Sequence, residues 1–239
     1  KEIGPKSIAR EMFEGYVGFS DYVRRYGLQR SEGVLLRYLS QFYKALDQSV
    51  PEGYKIEPVY DALGFFRALL QHTDTSLIDE WESLLHPELQ LERPEEREAD
   101  RRELRVRELL ENPMVFGARV RAEMHLLLRA LADRNWEDAA AAILSDPNPS
   151  SNPEGPWTPE RFEAALAPYH AEYGELVFSA EARRHRLTQI QKTGEREWNV
   201  SQTFLDPEGD EIWAALGTID LADPAVLEGP LVVLRRIGS

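Results

Sequence analysis

The sequence predicts an α+β protein, with an all-helical N-terminal domain followed by a domain of helices and an antiparallel meander. Two observations lead to this prediction. Apolar residues recur every three or four positions through the first half of the chain, which is the spacing of amphipathic helices. After residue 180, apolar and polar residues alternate in four runs. These runs are separated by short segments that contain Gly, Pro and Asp, and such a pattern is typical of antiparallel strands.

Residues 1–90 are expected to form the helical domain. An aromatic residue recurs there at three-residue spacing, which predicts an apolar stripe on one helix or on two short ones: Phe13, Tyr16, Phe19 and Tyr22. Ser31 is expected to cap a long amphipathic helix, and the Val50-Pro51-Glu52-Gly53 segment is expected to end it. Two more helices are predicted over about 58–72 and 73–85.

Residues 91–112 are rich in charge and have almost no apolar side chains before Leu104, so they are predicted to be a charged linker helix between two domains. In the following α+β domain, 113–239, we expect helices over 115–131, 136–144 and about 159–173, with Asn135 and Thr158 as caps. The strands are predicted at 182–193, 197–206, 211–221 and 230–237. One face of the second strand is expected to point toward the helices: Trp198, Val200, Gln202 and Phe204.

The chain carries a formal net charge of −14, which argues against a protein that binds nucleic acid over its whole surface. The segment from Lys6 to Lys55 differs, because it holds eight basic and six acidic side chains and is therefore slightly positive. Any contact with nucleic acid is expected in this first quarter. The candidates are Arg37, Gln41 and Lys44, which share one helix face, and a second basic group of Arg24, Arg25 and Arg30.

Catalytic and metal-binding patterns are missing from the sequence. It has no Gly-rich phosphate loop and no Gly-x-Ser-x-Gly nucleophile motif, and its five histidines are scattered. It has no cysteine and no apolar run long enough for a membrane. We therefore expect a cytoplasmic chain that is not an enzyme, has no catalytic residue, metal site or cofactor of its own, and has no membrane partner.

The segment SEGVLLRYLSQFYKALDQSVP, residues 31–51, resembles a helix in the C-terminal domain of the superkiller-type DExH helicases. That helix follows an acidic-Gly pair and carries an Arg, apolar pairs and a closing Leu-x-Gln. The matching residues are Glu32, Gly33, Leu36, Arg37, Leu46 and Gln48. The flanking segments 18–28 and 75–84 resemble a bacterial branch, in which a DEAD/DEAH-box motor carries a long C-terminal region of unknown function.

The resemblance implies a non-catalytic accessory module of an ATP-dependent helicase. Arg37, Gln41 and Lys44 would contact the phosphates of a single strand, RNA in preference to DNA; the other reading is that Arg37 pairs with a neighbouring carboxylate. Motor domains in cis would hydrolyse ATP, and ATP and Mg²⁺ would bind only there. Residues 113–239 would bind a protein partner or brace the assembly. The chain starts at Lys1 and not at Met, so we expect it to be a fragment of a longer protein or a processed chain.

The layout of the second domain is similar to the cone-shaped fold of the SnoaL-like and nuclear-transport-factor-like proteins, and residues 130–144 resemble their first two helices. This likeness implies an alternative function as a small-molecule-binding, isomerase or hydrolase domain. Its pocket would be lined by Tyr169, His170, Tyr173, Trp198 and Gln202. The other reading of these residues is a filled core in which each buried polar group is hydrogen-bonded.

Overall fold

A computed structural model describes residues 5–73, 94–146, 152–222, 227 and 229–239. Over these ranges eight α-helices precede a four-stranded antiparallel sheet, so the α+β prediction is confirmed. The chain divides into two compact units, Lys1–Ala122 and Glu123–Ser239, which are described separately below. The division lies within one helix, while the domain boundaries proposed from the sequence at 90 and 113 stay a prediction.

The helices are α1 (Pro5–Gly15), α2 (Phe19–Tyr26), α3 (Glu32–Ser49), α4 (Glu57–Thr73), α5 (Pro94–Glu111), α6 (Pro113–Ala132), α7 (Trp136–Ala141) and α8 (Pro159–Tyr173). The strands are β1 (Thr188–Lys192), β2 (Glu197–Thr203), β3 (Ala214–Asp220) and β4 (Val233–Gly238). Within the described ranges, none of the helices is both long enough and apolar enough to cross a membrane.

The first unit is built on α3, which packs against α1 and α4. The predicted aromatic stripe is divided between two short helices, because α1 ends at Gly15, Tyr16 adopts a left-handed conformation (φ 49°) and α2 begins only at Phe19. Its rings join the core, where Tyr16 and Phe65 have ring centroids 4.6 Å apart and Phe65 meets Phe66 edge-on at 5.1 Å. The helix predicted at 73–85 lies outside the described residues from 74 onward.

Ser31 occupies the N-cap position of α3, as the sequence predicts, but its hydroxyl does not cap the helix. It directly precedes α3, but its side chain makes no capping hydrogen bond. The reason is a 3₁₀ turn at Gln29–Ser31, in which the Ser31 N–H donates to the Leu28 carbonyl at 2.7 Å. The backbone of Ser31 (φ −121°, ψ 13°) consequently departs from the extended conformation in which a serine hydroxyl reaches the helix N–H groups.

The charged segment 91–112 contains α5, which buries Val106 and Leu109. The first half of α6 lies close to α4 at Gly64. There the Arg121 guanidinium donates two hydrogen bonds to one oxygen of Asp61, at 3.0 and 2.8 Å.

The second unit contains the sheet, in the order β1-β2-β3-β4 with every neighbouring pair antiparallel. Both predicted caps are confirmed: Asn135 accepts a hydrogen bond from the Asp138 N–H at 3.2 Å, and Thr158 accepts one from the Arg161 N–H at 3.3 Å. Helix α8 packs on β4. The predicted inward face of β2 and the residue after it is buried throughout: Trp198, Val200, Gln202 and Phe204.

Candidate nucleic-acid interface

The α3 row consists of Arg37, Gln41, Lys44 and Gln48, which share one face of α3 because they are four, three and four residues apart. Arg37, Gln41 and Gln48 are exposed, and Lys44 is half-buried. The opposite face of the helix buries Leu35, Leu39 and Tyr43 in the core. At 1.5 Å per residue the row extends over about 16 Å.

The α3 row carries N–H donors and no carboxylate. Arg37 makes no ion pair or side-chain hydrogen bond with any residue that the structure describes, so its donors are open to solvent. Of the two acidic residues of α3, Glu32 lies in the first turn, and Asp47 binds the Lys55 ammonium at 2.7 Å. The predicted alternative, in which a neighbouring carboxylate occupies Arg37, therefore has no counterpart within the described part of the chain.

The second basic group is less uniform. Arg24 and Arg25 lie in the last turn of α2, and Arg30 lies in the 3₁₀ turn before α3. Arg24 binds Asp21 at 2.6 Å, one turn earlier in the same helix. Arg25 and Arg30 are exposed, and neither pairs with a carboxylate in the described ranges. Only Arg37, Gln41 and Lys44 are thus aligned on a single helix face.

Tyr54 is an exposed residue that the sequence analysis did not single out. It ends the 3₁₀ turn Glu52–Tyr54, and its surface is 79% exposed. The neighbouring Lys55 side chain is almost fully buried, and its ammonium binds both Asp47 and Glu52. Burial lowers the pKa of Lys55, but these two carboxylates outweigh it and raise the pKa overall. A charged Lys55 therefore fixes the segment beside the last turn of α3.

The predicted pocket residues of α8 contact one another, but only Tyr169 lies in the core, while His170 and Tyr173 are half-buried. Tyr169 is fully buried, its hydroxyl donates to the Leu205 carbonyl at 3.3 Å, and burial raises its pKa to about 12. Its ring contacts the rings of His170 and Tyr173. The Tyr173 hydroxyl donates to Asp210 at 3.0 Å, while Nδ1 of His170 lies 2.7 Å from the Gly174 carbonyl oxygen.

Gln202 has different neighbours from the α8 residues, because its amide bonds to β1, to β2 and to the segment before β1. Its oxygen accepts a hydrogen bond from Thr188 Oγ1 at 2.6 Å, and its nitrogen donates to the carbonyls of Ala182 and Thr203 at 3.3 and 3.1 Å. Nε2 of His125 lies 3.4 Å from the same Thr188 oxygen. Both ends of the amide are thereby satisfied inside the fold, as in the filled-core reading.

Trp198 lies near the other end of β2, with the Lys192 ammonium 5.7 Å from its ring centroid. A small cleft of about 80 Å³ occurs elsewhere in the second unit, between Ile143, Leu144, Trp157 and Leu234. None of the predicted pocket residues lines it. Within the described part of the chain, no cluster of three or more His, Asp or Glu side chains has the arrangement of a metal site.

A family model described as Domain of unknown function (DUF3516) matches residues 1–236. No protein of curated function and no solved structure matches the chain. Because the match extends over nearly the whole sequence, the chain belongs to the DUF3516 family.

Proposed function

We propose that the chain is a non-catalytic accessory module that guides a single strand of nucleic acid along α3, as part of an ATP-dependent helicase of the superkiller type. The observation that carries this proposal is the α3 row, in which N–H donors follow one another on one helix face and Arg37 is exposed without an ion-pair partner among the described residues.

The charge of the row supports a phosphate ligand. In a chain of net charge −14, a face with arginine, lysine and two glutamines but no carboxylate is chemically distinct from the acidic remainder. Such groups bind the sugar-phosphate backbone irrespective of sequence, and the affinity falls as salt rises. A module that guides a moving strand needs contacts of this kind, because a contact that reads bases would hold one sequence in place.

The helicase part of the proposal rests on the resemblance of residues 31–51 and their flanks to the superkiller-type helicases. The motor domains would lie in cis outside this sequence and would bind ATP and Mg²⁺. RNA is the proposed strand in preference to DNA. The second unit would brace the assembly or bind a protein partner.

The alternative, a small-molecule domain of the SnoaL-like type, has weaker support. Its pocket needs polar groups that point to a ligand, whereas the amide of Gln202 already bonds to Thr188, Ala182 and Thr203. The Tyr169 hydroxyl is likewise bonded to a backbone carbonyl.

The proposal is tested by fluorescence anisotropy of a labelled single-stranded RNA, and of the matching DNA, at low and at moderate salt. The Arg37→Glu, Lys44→Glu double variant is compared with an Arg10→Glu, Arg184→Glu double variant. The control makes the same change in net charge at two exposed arginines, each of which pairs with a nearby glutamate. We expect salt-sensitive binding that the control retains and the α3 variant loses. The proposal would be contradicted if the α3 variant and the control variant bind equally well. It would also be contradicted if the wild type shows no binding at low salt.

A further inference from the structure

We infer that Tyr54 is a nucleobase-stacking residue, placed at the end of the α3 row. This inference rests on the proposed function and adds to it a contact with the bases, through the face of an aromatic ring. A stacking contact is compatible with sequence-independent binding because every base has a π-face.

The exposure of Tyr54 is the first step of the argument. Most of the aromatic side chains that the structure describes in the first unit are buried or packed against other rings, as Tyr16, Phe65 and Phe66 are. The Tyr54 ring instead is 79% exposed and makes no ring contact with any other aromatic residue in the described ranges. Ile56, two residues later, is 64% exposed, so two apolar side chains flank the buried Lys55 on the outer side of this segment.

The segment that carries Tyr54 is held in place. The Tyr54 N–H donates to the Pro51 carbonyl at 2.8 Å, and the Lys55 N–H donates to the Glu52 carbonyl at 3.2 Å. The Glu52 carboxylate binds the Lys55 ammonium and accepts a hydrogen bond from the Tyr60 hydroxyl of α4 at 2.8 Å. A ring on a fixed backbone loses little conformational entropy when a base stacks on it, which favours binding.

The bond between Lys55 and Asp47 connects this segment to the α3 row. Asp47 is adjacent to Gln48, the last member of the row, and its carboxylate lies 2.7 Å from the Lys55 ammonium. Tyr54 is the residue next to Lys55, so the segment that carries its exposed ring lies close to the last turn of α3. A strand whose phosphates follow Arg37, Gln41, Lys44 and Gln48 would therefore continue toward Tyr54.

Cations compensate the carboxylates near Tyr54 only in part, because each cation is shared between two carboxylates. Asp47 and Glu52 share the Lys55 ammonium, and Glu57 lies 3.8 Å from the Arg121 guanidinium. The hydrogen bond from Lys55 lowers the pKa of Glu52, with burial acting in the opposite direction. These ion pairs reduce the repulsion that a strand would meet on its way to the ring.

The test uses two short DNA strands of equal length, an oligodeoxyadenylate and a matched strand of abasic nucleotides with the same phosphates. Both are titrated with the wild-type chain and with Tyr54→Ala, Tyr54→Phe and Arg37→Gln. We expect Tyr54→Ala to weaken binding of the oligodeoxyadenylate about tenfold, with Tyr54→Phe close to wild type, because stacking needs the ring and not the hydroxyl. The abasic strand is expected to bind wild type and Tyr54→Ala equally.

The outcomes separate the stacking inference from the proposed function. One outcome is that Arg37→Gln weakens binding of both strands while Tyr54→Ala binds oligodeoxyadenylate as the wild type does. The α3 row then binds phosphate and Tyr54 does not stack on a base. In that case the Tyr54 ring is available to an apolar pocket of a protein partner. If Tyr54→Ala weakens binding of both strands equally, the stacking inference is also wrong, because the abasic strand has no base on which Tyr54 could stack. If the wild type binds neither strand, both proposals are overturned.

Discussion

Gly64 of α4 lies against the backbone of Ala118 in α6: a β-carbon built on Gly64 would be 2.7 Å from the Ala118 carbonyl oxygen and 2.9 Å from its carbon. Real β-carbons do not approach other atoms so closely, and the neighbour here is helix backbone, which cannot rotate away as a side chain could. The packing of α4 against α6 in the first unit therefore requires a glycine at this position.

The close approach predicts that Gly64→Ala lowers the free energy of unfolding of the chain by about 1–3 kcal/mol, because the added methyl group forces the helices apart. The matched control is Gly33→Ala in the first turn of α3, where a β-carbon would meet no atom within 4 Å. The control is expected to raise the free energy of unfolding by about 0.5–1 kcal/mol, since alanine is the better helix former. Urea unfolding measures both, and equal stability of the two variants would contradict this packing.

Asp206 organises the turn between β2 and β3. One of its oxygens accepts hydrogen bonds from the N–H groups of Glu208, Gly209 and Asp210 at 3.0, 2.6 and 3.0 Å, and the other accepts one from Glu211 at 2.7 Å. Burial raises the pKa of Asp206, but the four N–H donors together outweigh it and lower the pKa below the ordinary value. The ionised carboxylate therefore stabilises the folded state.

Because the pKa of Asp206 is lower in the folded chain, its contribution is present above the unfolded pKa of about 4 and is lost as the pH falls through the folded value. Asp206→Asn is expected to reduce the free energy of unfolding by about 2 kcal/mol near neutral pH. The difference in the free energy of unfolding between wild type and Asp206→Asn should become steadily smaller below about pH 4. Urea unfolding at a series of pH values checks this, with Glu208→Gln in the same turn as control. If the difference in the free energy of unfolding does not change with pH, the charge of the Asp206 carboxylate does not stabilise the folded state.

The hydrogen bond between Thr188 and Gln202 predicts coupling between two buried residues on neighbouring strands. Thr188→Val and Gln202→Leu should each lower the free energy of unfolding by about 1–3 kcal/mol, because each leaves the other's polar group without this bond. The double variant should lower the free energy of unfolding by less than the sum of the two single variants, since it removes both polar groups together. A double-mutant cycle measured by urea unfolding tests this, and strict additivity would mean that the 2.6 Å contact contributes nothing.

Local patterns were sufficient to predict much of the fold. Strand alternation and short turns predicted the meander, and the spacing of Arg37, Gln41 and Lys44 placed them on one face of α3. The caps at Asn135 and Thr158 also depend only on residues three positions away. These features follow from neighbours in sequence, which is why the sequence alone reveals them.

Features that depend on distant residues could not be predicted in this way. Gly64 meets Ala118 only after α4 and α6 pack, and Gln202 finds Thr188 only after β1 and β2 pair. Ser31 has the residue type of a helix cap, but the 3₁₀ turn before it sets a different backbone conformation. The ion pairs of Lys55 with Asp47 and Glu52 likewise form only after the segment that follows α3 folds back beside it.

The salt dependence of single-strand RNA binding tests the role of α3 most directly. The affinity of the wild-type chain for a labelled RNA is measured over a series of salt concentrations and compared with that of Arg37→Gln, with Arg10→Gln as the control. Loss of one phosphate contact is expected to weaken binding at low salt and to make the slope of log affinity against log salt shallower by about 0.7. The control should match the wild type. If Arg37→Gln has the affinity and the slope of the wild type, the α3 row is not the nucleic-acid interface.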